Sequence, residues 1–335
     1  MTERHHAGPR AARDRAHFLL TVAAIALLTV SGCALVRLLP EPATSLPAPD
    51  SARLEPVRRI MAPFGELREI HPPDTGAVVL AHPGHDELAG RLAAELPAAL
   101  SAVAGYWDAA DTAWTRRAVI AVAADRTEFA ALLRAPAPDP GPGSANDSDS
   151  DAGPAATSSE IAAAAYSDPF RFGTPPTGQR VVFAPDAGRR LNPDQLRTVL
   201  RHELIHLATR AHTAGAAPQW LVEGFAEYVA HRGLGHTFAE IAPTVRAAAR
   251  AGELPADLPD DPAFTGRDAV ESYEQAWTIC AFVAGGGDET QLLRLYRALA
   301  AGTRADEDHL LREVLGTGRA RFVEQWRSWV ADRSR

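Results

Sequence analysis

Lysine is absent from this 335-residue chain: all 34 basic residues are arginine. With abundant alanine, this points to GC-rich coding more than to mechanism. It also removes the lysine of a phosphate-binding loop, so Gly285-Gly286-Gly287 reads as a helix break. Cysteine is nearly as scarce. Cys33 and Cys280 cannot build a disulfide framework. Cys280 sits in the apolar run Ile279-Cys280-Ala281, where a small core residue is expected rather than a nucleophile. Positive charge is in deficit overall, with a formal net charge of −8. Residues 1–32 carry four arginines against Glu3 and Asp14, so the remainder is more acidic still, which argues against nucleic acid as a partner. The longest apolar stretch, Phe18 to Val30, falls short of the roughly 20 residues a spanning helix needs. The acidic run Asn146-Asp147-Ser148-Asp149-Ser150-Asp151 lacks the glycine and closing glutamate of a calcium loop.

What is present begins with a leader. Arg4, Arg10, Arg13 and Arg15 precede the Phe18–Val30 stretch as a positive region before an apolar one. Val30-Ser31-Gly32-Cys33 then resembles the bacterial lipobox. That resemblance implies cleavage before Cys33, lipidation of its side chain and a body held outside the cytoplasm on the bacterial cell membrane. An uncleaved signal anchor is the alternative, because Ala34-Leu35-Val36 prolongs the apolar stretch to Arg37. Either way the body is extracytoplasmic.

Residues 33–57 are rich in Pro, Ala and Ser, as expected of a tether. Folded structure is expected from about Arg58. Strands are expected at Gly76–Ala81, Ala118–Ala123, Ile161–Tyr166 and Gln179–Ala184, with helices from Asp86 to about Asp108 and from Arg126 to Arg134. Residues 58–210 thus read as an α/β lobe, interrupted at 135–159 by a polar insertion expected to be disordered. Residues 211–335 read as a helical lobe, with helices at Thr237–Arg250, Tyr273–Ala284, Glu289–Ala301, Asp306–Leu315 and Arg319–Arg333.

Chemistry concentrates in His202-Glu203-Leu204-Ile205-His206. Two histidines four apart share one face of a helix, so both imidazoles can reach one metal ion, with Glu203 beside its open position. Asn192, Pro193 and Gln195 supply a start signal for that helix. Leu196, Val199, Leu200, Leu204 and Leu207 recur at helical spacing and point one face inward. After sixteen further residues (207–222) comes Glu223-Gly224-Phe225-Ala226. Glu223 and Glu227 lie one turn apart in an otherwise apolar helix, and burying both calls for a cation or donors.

Together these segments resemble the gluzincin metallopeptidases of the broad peptidase-MA-like group. The resemblance implies that His202, His206 and Glu223 bind one Zn²⁺ per chain, that Glu203 is the general base, and that Glu227 orients a metal-binding histidine. It also implies an α+β, zincin-like fold: an N-terminal α/β lobe with a mixed sheet, then the zinc helix and a helical C-terminal lobe. Tyr273, in Ser272-Tyr273-Glu274-Gln275, is the candidate donor to a tetrahedral oxyanion, against a plain core role for its ring. His212, His231 and His236 are expected to be exposed residues around loops. The expected activity is hydrolysis of a peptide or protein outside the cytoplasm. The alternative is a lipoprotein that keeps the fold and metal as a binding scaffold, without turnover. No Gly-x-Met-Glu-Asn-type segment precedes the helix, which disfavours an aminopeptidase of the aminopeptidase-N type.

Overall fold

Four short runs rich in Val, Ile, Leu and Ala, too short for helices and bounded by turn residues, join the unexpected edge strand Arg68-Glu69-Ile70 in a mixed sheet of five strands among the described residues. The computed structural model describes residues 50–106, 117–134, 162–168, 170, 172–265, 267–285, 289–302 and 306–335. The expected leader, Cys33 and the insertion at 135–159 lie outside them. The strands are β1 (Arg68–Ile70), β2 (Val78–Ala81), β3 (Val119–Val122), β4 (Ala163–Tyr166) and β5 (Arg180–Phe183), in the spatial order β1-β2-β3-β5-β4. The central β2, β3 and β5 are parallel, and both edges are antiparallel.

Alternation along the strands separates two buried layers. Val79, Ala81, Ile120, Val122, Ala163, Ala165, Val181 and Phe183 face a large core. It contains α2 (Asp86–Ala104) and the helices of the second half of the chain. Val78, Leu80, Val119, Ala121, Ala164 and Val182 face a smaller layer. That layer is covered by α1 (Asp50–Met61) and α3 (Arg126–Leu132).

The second half runs through the short α4 (Ala187–Arg190), α5 (Pro193–Thr209), α6 (Gln219–His231), α7 (Phe238–Ile241), α8 (Pro243–Ala251), α9 (Ala269–Ala284), α10 (Glu289–Ala301), α11 (Glu307–Leu315) and α12 (Arg319–Arg333). Its buried side chains belong to the same contiguous cluster as one sheet face. No described helix is long and apolar enough to cross a membrane.

Three expectations need correction. Helix α1 already spans Asp50–Met61, ahead of the Arg58 expected: Leu54, Val57 and Met61 sit at helical spacing and are buried, with Pro56 inside the helix. The single helix expected at Thr237–Arg250 is two, broken at Ala242 because Pro243 starts α8. Tyr273 lies in the second turn of α9 rather than opening it.

Candidate metal centre

The start of α5 follows the expected chemistry. Gln195 N donates to Asn192 Oδ1 and Asn192 N to Gln195 Oε1, each at 2.9 Å, closing a reciprocal capping box ahead of Pro193. With the start fixed, Leu196, Val199, Leu200 and Leu204 pack into the main core, while α2, α6 and β4 enclose the helix. His202, Glu203 and His206 lie on the buried flank that remains.

α6 crosses α5 and carries Glu223 and Glu227 on one stripe. Gly224 permits the close approach of α6 to α9: a Cβ there would lie 2.4 Å from the Ala276 carbonyl oxygen and 2.9 Å from Cys280 Sγ. One turn back from Ala276, the buried Tyr273 ring lies 6.5 Å from the His202 ring and packs edge-on against Phe264.

The distances converge on one point. His202 Nε2 and His206 Nε2 are 3.0 Å apart. Glu223 Oε2 lies 3.3 Å from the first and 3.5 Å from the second. These three buried residues could hold a metal ion between them. The donor set fits such an ion. Glu223 is fully buried, and neither of its oxygens accepts a hydrogen bond. A buried carboxylate without donors is costly unless a cation faces it. His202 Nδ1 lies 3.1 Å from Glu227 Oε1, so in the neutral, metal-binding form of the ring its hydrogen belongs on that nitrogen and Nε2 keeps a lone pair for the shared point.

The electrostatics show how strongly the two buried carboxylates demand positive charge beside them. Burial alone would raise the Glu223 and Glu227 carboxyls, yet the neighbouring imidazoles outweigh it and bring both down to about 2. Burial works against charge on His202, but Glu223 and Glu227 together raise its pKa well above the ordinary value. Glu203 goes the other way. Burial raises its carboxyl, against the pull of His202 and His206.

Glu203 is also anchored. Ala165 N on β4 donates to Glu203 Oε2 at 2.6 Å, while Oε1 is buried without a hydrogen-bond partner. Ala184 N donates to Ala162 O, so bonds between β4 and β5 fall at even positions of β4. Ala163 and Ala165 therefore direct their N–H and C=O away from β5, and among the described residues no strand pairs with that outer side.

No family model, curated protein or solved structure matches this chain. The site rests on its own residues. His202, His206, Glu203, Glu223 and Glu227 are brought together, Tyr273 lies beside them, and Cys33 lies outside the described residues. Cys280 is buried, and burial pushes its thiol up, away from reactivity. His212 is exposed as expected. The expectation for His231 needs correction: its side chain is 8% exposed and lies 3.4 Å from Glu227 Oε2. Its signal was the step of four residues from Glu227, the same step that separates Glu227 from Glu223.

Proposed function

We propose that this protein is a zinc-dependent peptidase of gluzincin type, acting outside the cytoplasm. The observation that carries the reading is the convergence of His202, His206 and Glu223 on one point, beside a Glu203 carboxylate with one oxygen anchored. A tetrahedral ion with bonds of about 2.0–2.1 Å separates its ligand atoms by roughly 3.3 Å, close to the triangle of 3.0, 3.3 and 3.5 Å observed. Two imidazoles, one carboxylate and a nearby base are the ligand set of an open hydrolytic site rather than a closed structural one.

Zn²⁺, when bound, lowers the pKa of a coordinated water and polarises a carbonyl oxygen. Glu203 Oε1 takes a proton and delivers it to the leaving amide nitrogen, while Oε2 stays on the Ala165 amide. Tyr273 is the candidate donor to the developing oxyanion, supported by its burial beside His202. An extended peptide laid along the outer side of β4 would take its register from the same strand that holds the base.

The test uses the full chain: bound zinc is measured, and cleavage of a mixed peptide library is compared with that of Glu203→Gln. Zinc near one per chain and cleavage lost in the variant are expected. Absence of zinc sinks the metal assignment; zinc without cleavage in the unmodified chain favours a binding scaffold.

A further inference from the structure

Glu227 is held from two sides. Oε1 lies 3.1 Å from His202 Nδ1, and Oε2 lies 3.4 Å from His231 Nε2. His231 Nδ1 in turn meets His236 Nδ1 at 2.8 Å. Glu223, Glu227 and His231 recur every four residues along α6, so one stripe of that helix carries a metal ligand, the carboxylate behind a second ligand and an imidazole behind that carboxylate. The His231 side chain is 8% exposed, and His236 is half-buried in the turn after α6.

Hydrogen positions follow from these distances. A carboxylate can only accept, so both imidazole nitrogens facing Glu227 carry hydrogen. A neutral His231 with its hydrogen on Nε2 has a bare Nδ1, and His236 Nδ1 must then donate to it. The other His236 tautomer would set two lone pairs against each other at 2.8 Å.

We propose that His231 and His236 are positioning residues for the metal centre: His236 fixes the tautomer of His231, His231 fixes the Glu227 carboxylate, and Glu227 turns the bare Nε2 of His202 toward the metal. This rests on the zinc reading above. Outer-shell partners of metal-binding histidines act through such orientation, and their loss weakens metal binding by about 10–100-fold.

The test has two readouts on the full chain: ring-nitrogen NMR of ¹⁵N-histidine protein at pH 8, and zinc affinity by competition with a chelator. In the unmodified chain His231 is expected to carry hydrogen on Nε2; in His236→Ala that hydrogen should distribute over both ring nitrogens. Zinc should bind roughly tenfold more weakly to His231→Leu and within about threefold of wild type to His231→Gln, whose amide can still donate to Glu227. His236→Ala, at a half-buried position, should weaken zinc several-fold and carries the test if the leucine variant fails to fold. A hydrogen on His231 Nδ1 in the unmodified chain, a folded leucine variant with wild-type affinity, or a glutamine variant as weak as leucine each overturns the inference alone. An unmodified chain that binds no zinc overturns it together with the zinc reading.

Discussion

Glu223 and Glu274 are both buried acids on helices, and their surroundings give them opposite behaviour. Glu223 faces two imidazoles and accepts no hydrogen bond, so its charge calls for a cation. Glu223→Ala is expected to lower zinc affinity by at least 100-fold, whereas Glu203→Gln should leave affinity within a few-fold and abolish turnover by roughly 10² or more; chelator competition and peptide cleavage check the pair. Glu274 accepts from Thr244 N and Val245 N at the start of α8, but burial wins and raises its pKa to about 7. The folded chain therefore holds a proton that the unfolded chain has released between its ordinary pKa near 4.5 and about 7. Stability from this group is full below that window and is lost as pH rises through it, by up to a few kcal/mol at about 1.4 kcal/mol per unit. Urea midpoints at pH 5 and pH 8 should thus differ more in the unmodified chain than in Glu274→Gln.

At the scale of elements, the α6–α9 contact makes a sharp prediction. Alanine in place of a mid-helix glycine ordinarily stabilises by about 1 kcal/mol. Gly224→Ala should instead destabilise by about 1–3 kcal/mol, because the added methyl meets a backbone carbonyl that cannot rotate away; a lower urea midpoint checks it. Asn192→Ala should cost about 1 kcal/mol through the lost cap of α5. These two sites also mark what the sequence made legible. The cap, the two histidines and the two glutamates were readable because each depends on spacing within one helix. The Ala165 amide on Glu203 was not, since no pattern in Ala162–Ala165 singles out one alanine's N–H; the pairing of β4 with β5 decides it. His231 hides for a different reason: its spacing from Glu227 is visible in the sequence, but the packing that leaves its side chain only 8% exposed is not. The helix at Asp50 hid behind Pro56, a residue that ordinarily argues against helix and here lies inside one.

For the whole molecule, the decisive fact is that α5 and α6, which carry His202, His206 and Glu223, pack into the same core as one sheet face. Metal binding to the folded state alone should then raise the melting temperature of the entire transition, by a stabilisation of about 2.7 kcal/mol when free zinc is 100 times its Kd. A calorimetric scan with zinc and with chelator measures this, and Glu223→Ala should show no such shift. The outer side of β4 has a consequence of another kind. An unpaired strand edge can recruit strands from neighbouring chains and begin aggregation. Glu203 occupies the outward N–H of Ala165, leaving a foreign strand one backbone bond short at the centre of the edge. The same hydrogen bond that steadies the carboxylate thus leaves a neighbouring chain one fewer backbone donor to pair with.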